Sequence, residues 1–447
     1  MKKYLKLIIL IIAVLIIIVG IFAYNVYNTV SGSEEITGEH GNIPENGKEI
    51  PPVTIGEFDW PNWRGINFDG IIHFPGLKTD WYKGLNKIWE VNFLCQGQST
   101  ASWSAPVIRG NRLIVPGRDE MNDLVFCLNA ENGELIWKGS YPAEAGTSHG
   151  PGARATPFID NDKVYTYGRS GDLVCWNLFD GKIIWHKNVK DIGGEEPEWG
   201  LSSTPLVINN KVIVQGGGKA LVIAYDKITG DVIWKSLEGP SGYSAAIPIK
   251  IDRTESLLIY HGKALSCLDK DDGREIWKMP WETEYGVNAS TPAVYNDIVF
   301  HTSGYGKGGQ ALKLSKNGFQ VLWTNTSFAA QHSDPFIIDG FIYGYSGQST
   351  SNKGEFKCIE LESGKELWST SEIGNGTATC VGDYIICLDL KGNLYFLKPE
   401  KSGFNKIAEV KHAIPDVKSL SWTLPVFANG KLYLRYLQTL ICFDLEK

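Results

Sequence analysis

The sequence predicts an all-β fold of eight similar units, and two periodic landmarks support this prediction. The first is a tryptophan that recurs every 43 to 49 residues, at Trp89, Trp137, Trp185, Trp234, Trp277, Trp323 and Trp368. The second is a proline that recurs at similar intervals, with one missing around Cys380, at Pro106, Pro157, Pro205, Pro248, Pro292, Pro335 and Pro425. Units of about 40–50 residues with four short strands each are typical of the blades of a β-propeller.

Each unit contains four short apolar runs that are rich in β-branched and aromatic residues, as strands are. In the second unit these runs are PFID, KVYTYG, DLVCWNL and KIIWHK. The last two runs of a unit are joined by a dipeptide that ends in glycine, at Gly133, Gly181, Gly230, Gly273 and Gly364. Such dipeptides supply the positive φ angles of tight hairpins. We therefore expect four antiparallel strands in each unit.

The two ends of the repeat predict how the ring closes. The last unit, TLPVFANGKLYLRYLQTLICFDL, stops after three strands and has no tryptophan. Conversely, residues 87–91 (KIWEV) have the pattern of a fourth strand with no unit before it. Pairing the two closes the ring and removes the open sheet edges at its ends. With a degenerate seventh unit, in which GFNKIAEV replaces the tryptophan segment, the prediction is an eight-bladed β-propeller closed by an N-terminal strand.

The N-terminus predicts one transmembrane helix ahead of the propeller. Lys2, Lys3 and Lys6 precede an unbroken apolar run over residues 7–23. A helix of this length, at ~1.5 Å per residue, reaches about 25 Å, close to the thickness of a bilayer core. A cleaved signal peptide is the alternative, although residues 29–31 (TVS) match a cleavage site poorly. Because the positive flank stays in the cytoplasm, we expect a single-pass protein of the cell membrane with an extracytoplasmic propeller.

These features divide the chain into three regions. Residues 1–28 are the predicted signal anchor, residues 29–58 a flexible linker, and residues 59–447 the propeller. The linker is rich in Gly, Pro and Glu and lacks hydrophobic periodicity, so it cannot bury a core. The net charge of −7 and the lack of a basic stripe exclude a nucleic-acid groove.

The cysteines are predicted to be structural. Four of them lie ten residues before the tryptophan of their unit, namely Cys127, Cys175, Cys267 and Cys358. Ala224 occupies this place in the third unit, and Cys442 fits the analogous strand of the last. Alanine at the same place indicates that a small apolar side chain is required there. Cys380 and Cys387 remain the one local pair for which a disulfide is considered, and no Cys/His cluster has metal-site spacing.

The repeat resembles the PQQ-like (quinoprotein alcohol dehydrogenase-like) family of eight-bladed propellers. Four segments are most similar to members described as PQQ-binding-like propeller proteins, namely DWPNWRGINFDG (59–70), SHGPGARATP (148–157), YGVNASTP (285–292) and SGYGKG (303–308). The resemblance covers residues 59–447 and implies an eight-bladed ring. It is shared by quinone dehydrogenases and by a distant non-enzymatic relative, the propeller lipoprotein of the outer-membrane barrel assembly machinery. The chain lacks both the adjacent Cys-Cys pair of the alcohol dehydrogenases and a lipid-modified N-terminal cysteine, since its first cysteine is Cys95.

The joins between consecutive units are the predicted functional region. In a propeller they lie on one face around the central channel, so they bring together residues that are distant in sequence. Around this ring they carry Trp103, His149, Arg154, Glu198, Trp199, Ser202, Tyr243, Tyr285, Asn288, His332, Asn375 and Trp422. The residues predicted to bind a ligand are Arg154, Trp199, Tyr243, Asn288 and Trp422, with His149, Tyr285 and His332. Aromatic rings, amides and a guanidinium suit an aromatic or carboxylated ligand.

Two functions remain open. We expect a binding or scaffold module that holds a cell-envelope protein or a small ligand on the loop-rich face, without a cofactor or a metal. The alternative is a PQQ-dependent dehydrogenase-like oxidoreductase with pyrroloquinoline quinone (PQQ) and Ca²⁺ at the channel mouth. Glu198, Asn288 and Asp334 have the oxygen donors that Ca²⁺ prefers, although their spacing does not require a site. No catalytic residue is assigned.

Overall fold

The N-terminal region is described only in part. The structure is a computed structural model that describes residues 13–23, 41–46, 56–81, 84–146, 149–251 and 253–446. Residues 13–23 form an α-helix. In these described ranges no helix combines the length and hydropathy of a membrane span. The rest of the predicted anchor, residues 1–12 and 24–28, lies outside the described residues, as does most of the predicted linker.

The strands of blades 1 to 4 follow two short strands, β1 (Ile71–Ile72) and β2 (Asn86–Val91). Blade 1 contains β3 (Val107–Arg109), β4 (Arg112–Arg118), β5 (Asn122–Asn129) and β6 (Leu135–Pro142). Blade 2 contains β7 (Phe158–Asp160), β8 (Lys163–Tyr167), β9 (Asp172–Asn177) and β10 (Ile183–Asn188). Blade 3 contains β11 (Leu206–Ile208), β12 (Lys211–Gln215), β13 (Val222–Asp226) and β14 (Val232–Ser236). Blade 4 contains β15 (Ile247–Ile251), β16 (Thr254–His261), β17 (Ala264–Asp269) and β18 (Glu275–Pro280).

The remaining blades follow the same order. Blade 5 contains β19 (Ala293–Tyr295), β20 (Ile298–Ser303), β21 (Gly308–Ser315) and β22 (Gly318–Asn325). Blade 6 contains β23 (Phe336–Ile338), β24 (Phe341–Gly347), β25 (Gly354–Glu360) and β26 (Glu366–Thr370). Blade 7 contains β27 (Gly376–Val381), β28 (Tyr384–Asp389), β29 (Leu394–Leu397) and β30 (Lys406–Val410). Blade 8 contains β31 (Val426–Ala428), β32 (Lys431–Tyr436) and β33 (Thr439–Asp444). Two single-turn 3-10 helices, Val189–Ile192 and Glu284–Gly286, lie in the joins after blades 2 and 4.

The ring closes as the sequence predicted. Strand β2 pairs antiparallel with β33, and Trp89 lies opposite Cys442. The eighth sheet therefore has four strands, in the order β2-β33-β32-β31. In the degenerate blade 7, β30 takes the place of the missing tryptophan segment. The prediction of eight four-stranded blades is confirmed, and β1 adds a fifth, parallel strand to the inner edge of blade 7.

The recurring tryptophans join neighbouring blades. The indole N–H of Trp137 in blade 1 donates to the carbonyl of Leu178, in the last hairpin of blade 2, at 2.9 Å. Gly181 in that hairpin has φ 70°, and a Cβ atom there would lie 2.5 Å from the Trp137 ring. Glycine is therefore required at this turn both for its backbone conformation and for its lack of a side chain. Trp89, Trp185 and Trp323 make the equivalent hydrogen bond to the following blade.

Five of the eight buried cysteines lie opposite these tryptophans on a neighbouring strand. Cys127 lies directly opposite Trp137 on the neighbouring strand, and Ala224 lies opposite Trp234 in the same way. A small side chain at this position leaves room for the large ring across the pair. All eight cysteines lie in the described residues, and all are free. Cys380 pairs with Ile385, whereas Cys387 pairs with Ala378, so the disulfide considered between them is not formed.

One segment that belongs to no blade crosses the centre of the ring. We call residues 56–77 the channel segment. Trp60 bridges Ile108 in the innermost strand of blade 1, and the carbonyl of Pro61 accepts from Ile159 in blade 2 at 2.8 Å. On the other side, β1 pairs in parallel with β27, the innermost strand of blade 7. The channel segment therefore contacts inner strands on several sides and occupies the central channel.

Candidate functional site

A cavity of about 620 Å³ lies on the face of the ring where the joins meet. The predicted join residues that line it are Trp103, His149, Arg154, Glu198, Trp199, Ser202, Tyr243, Tyr285, His332 and Trp422. Seven of the eight predicted ligand-binding residues thus meet around one cavity, although up to 273 residues of sequence separate them. The ring geometry brings them together because each join returns to the same face.

Two groups of aromatic rings form opposite parts of the cavity wall. In the first group, the Trp422 ring lies 4.8 Å from Trp103, 5.4 Å from His149 and 5.9 Å from His332, measured between centroids. The two histidine contacts are edge-to-face and the Trp103 contact is tilted, and such contacts stabilise a ring in one orientation. The wall is therefore an ordered apolar surface with polar ring edges.

The second aromatic group comes from the joins after blades 2, 3 and 4 and from the loop between β20 and β21. Trp199 lies 6.0 Å from Tyr243 and 5.8 Å from Tyr285, and Tyr285 lies 5.8 Å from Tyr305. Burial raises the pKa of Tyr243 to about 12, so this phenol stays protonated over the physiological range. Tyr285 is 60% exposed and has φ 59°, an uncommon backbone conformation for a non-glycine residue. It therefore stands at the cavity mouth.

Arg154 brings a cation to the aromatic cavity. Its guanidinium donates to the backbone carbonyls of His149 at 3.0 Å and Gly150 at 3.3 Å. Burial and the nearby Arg169 lower the pKa of Arg154 to about 9, so the group is still cationic at neutral pH. These two backbone contacts hold the guanidinium in place before any ligand arrives.

The other titratable groups of the cavity leave Arg154 as its main source of positive charge. Desolvation and Arg154 lower the pKa of His149 to about 4. The His332 ring is open to the cavity, yet desolvation, Arg154 and His149 lower its pKa to about 3. Both imidazoles are therefore neutral at physiological pH. Apart from these histidines, Arg154 and Glu198 are the only acidic or basic residues among the described lining residues.

The channel segment supplies the cavity with Trp63, which the sequence interpretation did not single out. The Trp63 indole N–H donates to Asp334 at 2.8 Å and to the Thr291 hydroxyl at 3.1 Å. Asp334 also accepts from the Thr291 backbone N–H at 2.6 Å and lies 3.4 Å from Arg64. Burial raises the pKa of Asp334, whereas Arg64 opposes this shift. This network fixes Trp63 in the cavity wall.

Two of the predicted join residues do not line the cavity. The Asn288 amide donates to the carbonyls of His261 at 2.8 Å and Trp281 at 3.0 Å, and its oxygen accepts from Ser303 at 2.7 Å. Asn288 is completely buried, and its neighbours Val287 and Ala289 line the cavity in its place. The prediction that Asn288 faces the cavity is therefore wrong. Its side-chain amide instead forms hydrogen bonds that anchor its own join. Asn375 likewise donates to the carbonyl of Gln348.

Further lining residues come from loops that the repeat did not mark. Tyr305 and Gln348 belong to the loops between the second and third strands of blades 5 and 6, and Gln331 belongs to the join before blade 6. The Gln331 amide donates to the Tyr305 hydroxyl at 3.1 Å. A loop between the second and third strands returns to the same face as the joins, which is the only signal that could have found Tyr305 and Gln348.

The three oxygen donors considered for Ca²⁺ do not meet. The Asn288 amide is bonded within its join, and the Asp334 carboxylate is occupied by Trp63, Thr291 and Arg64. Only Glu198 reaches the cavity. Among the described residues no group of three or more His, Cys, Asp or Glu side chains is placed to hold a metal ion. The side chains present therefore do not fit the Ca²⁺ of a quinone dehydrogenase site, whereas the aromatic walls and Arg154 fit a planar anion.

Fold and repeat together define an eight-bladed propeller of the PQQ-like repeat class. More specifically, the model of the PQQ_2 family, described as "Outer membrane protein assembly factor BamB", matches residues 143–370 and 261–447, and the chain belongs to this family. No curated protein matches the sequence.

Solved structures show the same architecture at low identity. BamB from Moraxella catarrhalis is 16% identical with a TM-score of 0.57, over 80% of this chain and 97% of that one. Quinohemoprotein alcohol dehydrogenase from Comamonas testosteroni is 13% identical with a TM-score of 0.60, over 87% and 80% of the two chains. Quinohemoprotein alcohol dehydrogenase ADHIIG from Pseudomonas putida HK5 is 12% identical with a TM-score of 0.63, also over 87% and 80%. At such identities the likeness shows the fold alone.

Proposed function

We propose that this chain is an extracytoplasmic binding module that holds a planar aromatic anion in the join-face cavity. The observation that carries the proposal is the position of Arg154 beside two aromatic walls, in a cavity where both histidines are neutral. A guanidinium binds a carboxylate through paired, charge-assisted hydrogen bonds. Aromatic walls bind the flat apolar part of the same ligand.

The size and shape of the cavity support a small ligand. A volume of about 620 Å³ is within the usual range of small-molecule pockets, roughly 300–1,000 Å³. The channel segment occupies the ring below, so a ligand enters and leaves through the join face. Exposed Tyr285 and Glu198 stand at that entrance. Glu198 disfavours negative charge at the mouth, so an anion is expected to bind with its carboxylate-bearing edge towards Arg154.

The proposal extends to the location of the module. The lysines before the apolar run of residues 7–23 support an N-terminus in the cytoplasm and an anchored propeller outside it. Protease added to intact spheroplasts then degrades the propeller, whereas a tag on the N-terminus is protected. A propeller that is degraded only after the membrane is broken would contradict this location.

The ligand proposal is tested by calorimetric titration of the full-length chain in detergent micelles. PQQ, a planar aromatic tricarboxylate, is titrated in the presence of EDTA, alongside benzoate, 2-naphthoate and indole-3-acetate. We expect PQQ to bind in the micromolar range and Arg154→Gln to weaken it at least tenfold, since a hydrogen bond to a charged group contributes about 1.5–3 kcal/mol. The control is Arg274→Gln, whose side chain is 64% exposed in the last hairpin of blade 4.

The outcomes separate the two functions. Failure of all four compounds to bind, or equal binding by the wild type and Arg154→Gln, would overturn the proposal. Binding of PQQ that appears only when Ca²⁺ replaces EDTA would favour the dehydrogenase-like function instead.

A further inference from the structure

Blades 2 and 3 share an apolar patch on their outer rim. We call it the outer patch, and it consists of Phe179, Ile183, Ile184, Ile228, Val232 and Ile233. Each of these side chains is between 40% and 53% exposed. Single exposed aliphatic residues are normal, but a continuous group of this kind marks an interaction surface.

A β-bulge explains why consecutive residues of the patch face solvent. In β10 the pairing with β9 shifts between Ile183 and Trp185, and β14 pairs with β13 with the same kind of shift. A bulge interrupts the alternation of side chains, so Ile183 and Ile184 are both exposed while Trp185 turns inward. The sequence pattern I-I-W and V-I-W therefore places two aliphatic side chains outside in each blade.

The two halves of the patch adjoin each other across the blade boundary. The Trp185 indole of blade 2 donates to the carbonyl of Lys227 in the last hairpin of blade 3, at 3.2 Å. Lys187 and Asp231 also form an ion pair at 3.7 Å between these blades. Ile228, one residue after Lys227, therefore lies beside β10 and its exposed isoleucines.

Blade 1 has the same aliphatic pair, but the chain covers it with one of its own segments. Leu135 and Ile136 correspond to Ile183 and Ile184, yet they are only 7% and 4% exposed. Asn46 accepts from the Lys138 backbone N–H of this strand at 3.1 Å through its side chain. Ile43, three residues earlier, packs against the apolar cluster that contains Leu135.

The outer edge of blade 2, strand β10, presents its backbone N–H groups in the same way as the outer edge of blade 1. Lys138 pairs with Phe126 as His186 pairs with Val174, so the two residues are equivalent in register. Antiparallel pairing alternates between residues whose N–H points into the sheet and residues whose N–H points outward. Since β10 and β14 end their sheets, the N–H groups of His186 and of Lys235, its equivalent in blade 3, point away from the blades.

We infer that the outer patch is a docking surface for an extended peptide segment of a partner protein. The segment places aliphatic side chains on the patch and a hydrogen-bond acceptor on the outward N–H of His186 or Lys235, as residues 43–46 do on blade 1. Recognition of an extended peptide at a sheet edge combines main-chain hydrogen bonds with side-chain burial. The last hairpins lie at the end of the blades opposite to the joins, so this surface is separate from the ligand cavity and does not depend on the proposed function.

The test uses a fluorescein-labelled decapeptide that alternates valine with threonine and carries terminal lysines. Its binding to the full-length chain in micelles is followed by fluorescence anisotropy. We expect saturable binding that is weakened at least tenfold by the double variant Ile184→Asp with Ile233→Asp. The matched control is Ile88→Asp with Ile407→Asp, whose side chains are 40% and 43% exposed on the outer strands of blades 8 and 7.

The position at which the peptide crosslinks to the protein decides among the possible outcomes. A benzophenone placed in the peptide is expected to crosslink within residues 179–187 or 228–235, while both double variants keep the wild-type melting temperature. Absence of binding, equal weakening by the control, or crosslinks elsewhere would overturn the inference. In analytical ultracentrifugation, a wild-type dimer that becomes a monomer in the variant Ile184→Asp with Ile233→Asp would also overturn the inference, because the occupant would then be a second copy of the chain.

Discussion

The blades and the channel segment contribute to this protein in opposite ways. The eight blades share one four-stranded plan, and at five of their boundaries a tryptophan packs on a hairpin glycine of the next blade, as Trp137 packs on Gly181. The channel segment occurs once, and its contacts with Ile108, Ile159 and β27 are all different. The repeat determines the width of the ring, whereas the channel segment closes the channel and contributes Trp63 to the cavity wall.

The largest effect is expected from breaking the repeat. Trp137→Ala removes a side chain that is 2% exposed together with its hydrogen bond to Leu178. Such a truncation lowers the free energy of unfolding by about 3–5 kcal/mol, measured by urea denaturation. Phe179→Ala, at a side chain that is 44% exposed in the same hairpin, is expected to change it by less than about 0.5 kcal/mol. Equal effects would mean that the blade boundaries do not depend on the tryptophans.

A pH change is expected to weaken the blade interior by a similar amount. His301 is buried between Tyr260 and Gln310, at 3.3 and 3.2 Å, and desolvation lowers its pKa to about 4. In the unfolded chain the pKa of histidine is about 6.5. Between these values the unfolded state binds more protons, so stability is full above about pH 6.5 and falls as the pH decreases towards 4. At about 1.4 kcal/mol per pH unit the loss is of the order of 3 kcal/mol.

The contribution of His301 is isolated by substitution. Urea denaturation of the wild type and of His301→Gln at pH 7, 5.5 and 4.5 measures the slope of stability with pH. We expect a shallower slope in the variant, because it lacks this group. The same slope in both proteins would show that His301 is not the group that binds the proton on unfolding.

A substitution at Asp334, which anchors the channel segment, is expected to cost less stability than Trp137→Ala but more ligand affinity. Asp334→Asn removes the charge that lies 3.4 Å from Arg64, although Arg64 keeps its contacts with the carbonyls of Phe68 and Pro335. We expect about 2 kcal/mol of destabilisation and weaker PQQ binding, because Trp63 loses part of its anchor. Trp137→Ala is the contrasting variant, since it acts far from Trp63. Unchanged PQQ affinity in Asp334→Asn would show that the channel segment does not contribute to the binding site.

The smallest effect is expected from reduction. All eight cysteines are free and buried, so dithiothreitol should leave the melting temperature unchanged. Thiol titration of the denatured chain without reductant should find all eight cysteines. A lower melting temperature on reduction, or fewer thiols, would show that a disulfide such as Cys380–Cys387 forms.

The difference between the repeated blades and the single channel segment also explains which features could be predicted from the sequence. The tryptophan and proline periods predicted the blades and the pairing of β2 with β33, because a repeated contact leaves a repeated residue. The joins could be located from the period, and so could Arg154, Trp199 and Trp422. The direction of a side chain within a join could not, and Asn288 therefore points into its own join rather than into the cavity.

The position of the channel segment could not be predicted from the sequence, for a related reason. Trp63 lies in a stretch that has neither helical nor strand periodicity, and its partners Thr291 and Asp334 are more than 220 residues away. Nothing in residues 56–77 alone indicates that they enter a channel formed by the rest of the chain. A segment used once leaves no period, so its position depends on contacts that only the folded ring provides.

A crystal structure of the chain with PQQ bound in the absence of Ca²⁺ would show whether Arg154 and the aromatic walls form a site for a planar anion. We expect the ring system of PQQ between the Trp422 and Trp199 walls, with a carboxylate on the Arg154 guanidinium. A ligand bound outside this cavity, or inside it with no carboxylate on Arg154, would show that these residues do not form the anion site.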